Sequence, residues 1–182
     1  MASLNIALPS QESQTELNLR RWEELLQDPA LNRIEGRIET DRHGHIIMSP
    51  PPAASHGGMQ SEIAYLLRTL MPSGRVLTEC PISTADGVKA ADVAWASQQR
   101  IRELGNRGCF LKAPEICVEV LSPGNTDAEI SEKMALYFDA GATEVWICGM
   151  AGNIQFYTSP DGPPANASRL CPQFRPRVDL RS

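Results

Sequence analysis

Two acidic residues stand where their neighbours give them little to pair with. Residues 90–95 read Ala-Ala-Asp-Val-Ala-Trp, a strand pattern in which alternate side chains face opposite ways, so Asp92 shares a face with Ala94 while Val93 and Trp95 share the other. Small neighbours leave room for an ion beside Asp92. In residues 115–121 the apolar set Ile116, Val118 and Val120 faces one way, and Glu115, Cys117, Glu119 and Leu121 the other. Glu119 thus falls inside an apolar run, where an unpaired carboxylate is costly. Its partner could be an arginine, a shell of backbone amides, or a divalent cation shared with Asp92 on a neighbouring strand. Two carboxylates with water and a backbone carbonyl form the oxygen-rich, partly hydrated site that magnesium prefers.

A reaction that needs an amine has few to choose from, because the seventeen basic residues are fourteen arginines and only Lys89, Lys112 and Lys133. Lys133 belongs to a helical pattern directly after the Glu119 strand. At about 100° per residue it lies roughly 60° to one side of the stripe formed by Ile130, Met134 and Tyr137. From there it could lean over the strand end or pair with Glu129 on the helix surface. His56 precedes a strong helical pattern and could touch a phosphate or cap the helix. Glu39 and Glu79 each read either as an accessory acid or as a solvated strand charge. The Gly-x-Ser-x-Gly spacing of a nucleophile elbow and the GxxxxGK[ST] phosphate loop are both absent.

The elements that must position these groups follow from periodicity. Leu19, Trp22, Leu25 and Leu26 mark a helix over residues 15–27. Residues 37–40 and 45–48 read as strands joined by a turn at Gly44. Ile63, Leu66, Leu67 and Leu70 give the clearest amphipathic helix, over residues 60–71. Strands are expected at 76–80, 91–95 and 116–121, with a helical turn or loop at 97–108. Thr126 to Glu129 has the form of a capping box opening a helix that ends at Gly141. Residues 145–148 and 154–157 form a closing hairpin. Interleaved helices and strands favour a sheet flanked by helices over a bundle or a sandwich. The expected organisation is a mobile start at 1–14, one domain over 15–158, and a tail over 159–182 that tucks Phe174 and Val178 onto the body.

Composition narrows the classes further. The chain has 182 residues and a net charge of −5, which suits one domain and excludes a globally basic nucleic-acid coat or a polybasic membrane binder. A basic groove on one face remains compatible with it. No apolar run is long enough to span a bilayer, and residues 1–16 lack the charged start and apolar core of a secretory signal, so export is not expected. Cys80, Cys109, Cys117, Cys148 and Cys171 include no CxxC pair, so free thiols in a cytoplasmic protein are expected.

In order along the chain, residues 46–50 (IIMSP), Ser55-His56, residues 88–95 (VKAADVAW), residues 114–123 (PEICVEVLSP), Glu132-Lys133 with Leu136-Tyr137-Phe138, and residues 141–147 (GATEVWI) resemble the Uma2 family, itself similar to the restriction-endonuclease-like PD-(D/E)xK nucleases. The resemblance covers roughly residues 30–158. It implies an α/β (α+β) fold, a mixed β-sheet flanked by helices, preceded by an N-terminal helix and a β-hairpin. It also implies that Asp92, Glu119 and the carbonyl of Val120 hold Mg2+ (or Mn2+), and that Lys133 is the catalytic amine of a DNA endonuclease. Two positions depart from the superfamily pattern: Ala91 stands where proline usually precedes the aspartate, and Leu121 stands where the lysine usually follows the glutamate. The implied partner is DNA, cut by one chain or by a homodimer. The alternatives are a non-catalytic module that binds nucleic acid or protein, and a structural metal-binding domain.

Overall fold

The structure, a computed structural model, describes residues 13–31, 36–49 and 51–179. The mobile start expected at 1–14 lies, up to residue 12, outside the described residues, as does Pro50. Among the described residues the order is α1 (Gln14–Gln27), β1 (Arg37–Thr40), β2 (Ile46–Ser49), α2 (Ala54–Leu70), β3 (Arg75–Thr84), β4 (Gly87–Ala96), α3 (Gln98–Leu104), β5 (Ile116–Val120), α4 (Asp127–Asp139), β6 (Glu144–Cys148) and β7 (Ile154–Tyr157). Strands β3 to β7 form a five-stranded sheet in sequence order, antiparallel except for the parallel pair β5–β6, and β1–β2 is a separate antiparallel hairpin. Helix α4 makes the crossover that a parallel pair requires.

The alternation along β5 and β6 assigns the two faces of the sheet. Val118 and Trp146, paired across the strands, pack with Met59, Ile63 and Leu67 of α2 and with Phe174 and Val178. On the opposite face Cys117 and Val145 pack with Met134 and Tyr137 of α4. A third cluster joins Trp22 and Leu25 of α1 to Val88 and Cys109.

Several elements run longer than periodicity indicates. Helix α2 begins at Ala54, six residues before the start expected at residue 60, because its first turn faces a cleft instead of the core. Strand β3 continues through Pro81, which an edge strand tolerates because its missing N–H need not serve a second neighbour. Residues 159–179 hold no helix or strand, yet they bury Ser168, Cys171, Phe174 and Val178.

Candidate active site

One irregularity in the sheet creates the site. The β3–β4 ladder pairs Thr78 with Val93 and Cys80 with Ala91, but Glu79, at φ 49, interrupts it opposite Asp92. Leu77 and Cys80 consequently pack on one face although they are three apart, and so do Ala91 and Ala94. A regular strand forbids that arrangement. The expectation that Asp92 stands among alanines on an unbroken face is therefore corrected. The β4–β5 ladder also ends at Val93, so Asp92 reaches past the last pair and its Oδ2 accepts the N–H of Val120 at 2.6 Å.

Asp92 is almost wholly buried, and its surroundings are cationic. The Arg37 Nη1 lies 2.5 Å from Oδ1 and the His56 Nε2 lies 3.4 Å from the same oxygen. Burial pushes the Asp92 carboxyl up; the His56 hydrogen bond, the Arg37 charge and the Val120 amide outweigh it and hold the group below its ordinary value. Val120 thus meets Asp92 through its amide N–H.

Glu119 reaches into the same cleft from the α4 side of β5. Its Oε1 accepts the Tyr137 hydroxyl at 2.7 Å, and its Oε2 accepts from Lys133 Nζ at 3.2 Å. Burial raises the Glu119 carboxyl, and Asp92 raises it further against the pull of Lys133 and Arg37. Lys133 turns inward, in place of a surface pairing with Glu129, and its ammonium also lies 2.9 Å from Glu39 Oε1. Although burial disfavours its charge, Glu119 and Glu39 hold the Lys133 pKa above the ordinary lysine value. The capping box between Thr126 and Glu129 starts α4, and burial of Met134 and Tyr137 sets the rotation that brings Lys133 over the strand.

The accessory residues divide. Glu39 is buried, accepts the Ala90 N–H at 3.0 Å and pairs with Lys133, which corrects its reading as a solvated strand charge. Glu79 is half-exposed and accepts from Gln60 at 2.8 Å. His56 does not cap α2: Ala53 is the N-cap and provides no side-chain bond, whereas the His56 ring spans Ser122 Oγ at 3.1 Å and Asp92.

Arg37 escapes sequence reasoning altogether. Its guanidinium meets Asp92, lies 3.7 Å from Glu39 and 3.8 Å from Glu79, and is also attracted by Glu119. The contact with Asp92 spans 55 residues, and nothing in the pattern Arg-Ile-Glu-Thr announces it.

These groups line a cleft of about 700 Å³ between the hairpin, the start of α2 and α4. Four carboxylates, Glu39, Glu79, Asp92 and Glu119, face the cations Arg37 and Lys133, with His56 beside Asp92. The donors are all hard oxygens, so in ligand chemistry the residues fit magnesium. Among the described residues no cluster of three or more His, Cys, Asp or Glu converges as a metal-binding set. Asp92 and Glu119 supply two carboxylates, and the cations now bonded to them would have to yield.

The family model of Uma2, described as "Putative restriction endonuclease", matches residues 22–173. Among solved structures, the chain is similar to the crystal structure of a "putative nuclease belonging to DUF820" from Anabaena variabilis ATCC 29413, with a TM-score of 0.64 and 22% identity over 79% of this chain and 82% of the other. That likeness shows the fold. No curated protein matches. No helix among the described residues is long and apolar enough to cross a membrane.

Proposed function

The chain belongs to the Uma2 family, and on that premise we propose that it is a magnesium- or manganese-dependent DNA endonuclease. One observation carries the reading: Asp92, Glu119 and the Lys133 ammonium meet in one cleft although the lysine comes from a helix and not from the strand position held by Leu121.

Asp92 and Glu119, with the carbonyl of Val120, are the residues that would hold the ion. The bound ion would polarise the phosphodiester and lower the pKa of the attacking water. Lys133, kept charged by Glu119 and Glu39, would stand beside the phosphate oxygens as negative charge grows on them. Tyr137 fixes the Glu119 carboxylate in place, and Glu39 does the same for the Lys133 amine. His56 and Glu79 border the cleft where the substrate backbone would pass. The reading extends to a cytoplasmic protein, consistent with five buried free thiols, and to a homodimer where both strands are cut.

The test is magnesium and manganese titration against a mixed DNA panel, scoring cleavage and binding together. Lys133→Met keeps the aliphatic packing and removes the charge; in protein shown by circular dichroism to be folded, turnover should fall on the order of 100-fold, with some stability lost because Glu39 and Glu119 lose their partner. Equal cleavage by the variant would overturn the role of the lysine. Binding without cleavage under every condition would leave a non-catalytic module on the same fold.

A further inference from the structure

The Arg37 guanidinium occupies the place a cation would take. It bonds directly to Asp92 Oδ1, lies within 4 Å of Glu39 and Glu79, and also feels the charge of Glu119. Yet its fit is incomplete. The buried Arg37 Nε finds no acceptor, a defect that costs stability wherever a polar atom is shielded from water. The side chain also remains about one-fifth exposed, at the floor of the cleft. Its backbone belongs to β1 of the small hairpin, which shares no strand ladder with the five-stranded sheet and is tied to β4 through side chains such as Glu39 and Thr40.

We infer that Arg37 is a built-in stand-in for the divalent cation, and that cation entry displaces its guanidinium from Asp92 and redirects it toward the substrate phosphate. This rests on the nuclease reading for its last step only. Asp92 Oδ1 is taken by the Arg37 guanidinium with His56 Nε2 at 3.4 Å, and Oδ2 by the Val120 N–H, so a cation ligated by Asp92 has to exchange with the guanidinium. The displaced guanidinium is still tethered at the cleft floor. Acidic side chains along the cleft outnumber Arg37, Lys89 and Lys133, and both lysines are held by carboxylates. Arg37, left with only its longer contacts to Glu39 and Glu79, is then the cation able to turn to a phosphate, which guanidinium binds through paired N–H donors.

The exchange makes metal and DNA respond in opposite directions to one substitution. By calorimetry, Arg37→Gln should bind Mn2+ about tenfold or more tightly than wild type, because the ion no longer has to expel a charge. In Ca2+, the same variant should bind a short DNA duplex about tenfold more weakly. Arg37→Lys, which keeps a charge, should resemble wild type for Mn2+. Should Arg37→Gln fail to fold, the wild type still reports: phenylglyoxal modification of Arg37, followed by peptide mass, should be slow without metal and several-fold faster once Mn2+ binds. Equal or weaker Mn2+ binding in Arg37→Gln, or Mn2+ binding that leaves Arg37 no more reactive, would overturn the exchange while leaving the nuclease reading intact. No Mn2+ binding by either protein would sink both.

Discussion

The site residues differ in how much of their role a single sequence can carry. Asp92 and Glu119 are legible because charge inside an apolar strand violates burial rules, and a violation is visible locally. Lys133 is legible only through resemblance, since its helical position admits a solvent-facing pair equally well. Arg37 is invisible: its partners come from three other elements and its own strand looks ordinary. The same holds for Glu79, whose left-handed backbone at φ 49 breaks the β3–β4 ladder. Few non-glycine residues adopt that conformation, and holding one there costs about 1 kcal/mol or more. Glu79→Ala and Glu79→Gly both lose the Gln60 hydrogen bond, but only glycine relieves the backbone. Chemical denaturation should therefore find Glu79→Gly more stable than Glu79→Ala by about 1 kcal/mol. The reverse order would mean that the ladder break is not set by this residue.

At the scale of elements, periodicity locates the cores of helices and strands but not their ends. The α2 stripe of Ile63 and Leu67 is plain, whereas residues 54–58 carry no apolar signal because they serve the cleft. Hidden from periodicity as well is the joint between β6 and the C-terminal segment. Glu144 is fully buried at the start of β6, and each oxygen takes two donors: Arg169 N and Leu170 N at Oε1, Trp146 Nε1 and Ser168 Oγ at Oε2. Four donors converging on one carboxylate form a complete buried network, whose removal leaves every donor unsatisfied. Glu144→Ala should cost about 3 kcal/mol or more in urea unfolding, with altered Trp fluorescence from loss of the Trp146 bond. Glu144→Gln should fall short of full rescue, because an amide nitrogen in place of either oxygen faces donors. A loss below about 1 kcal/mol in both variants would show that the segment is held by packing alone.

For the whole molecule, the core around Trp146 takes in side chains beyond the expected boundary at residue 158, and we propose that the domain needs them. The Uma2 match runs to residue 173, and the segment beyond β7 covers both the α2 face and an open strand edge. Phe174 and Val178 join the cluster around Trp146 and Phe156, with Phe174 and Trp146 rings 4.7 Å apart. Ala165 N donates to Phe156 O, and Ile154 N donates to Pro176 O, so the outer side of β7 is partly paired. The expected tuck of Phe174 and Val178 onto the body is seen, whereas the pairing with β7 and the burial of Ser168 and Cys171 leave no signal in a stretch rich in Pro, Ser and Asn that lacks periodicity. Burying Cys171, Phe174 and Val178 contributes on the order of 5 kcal/mol, which is comparable to the whole stability of an ordinary domain. A chain ending at Thr158 would expose that surface, lose three of the four donors to Glu144, and bare the β7 edge to other copies. It should give no cooperative thermal transition and should aggregate, by light scattering, under conditions where the full chain is clear. A truncated chain that instead melts cooperatively within a few degrees of the full one would restore the boundary at 158 and reduce residues 159–179 to a covering the core does not need.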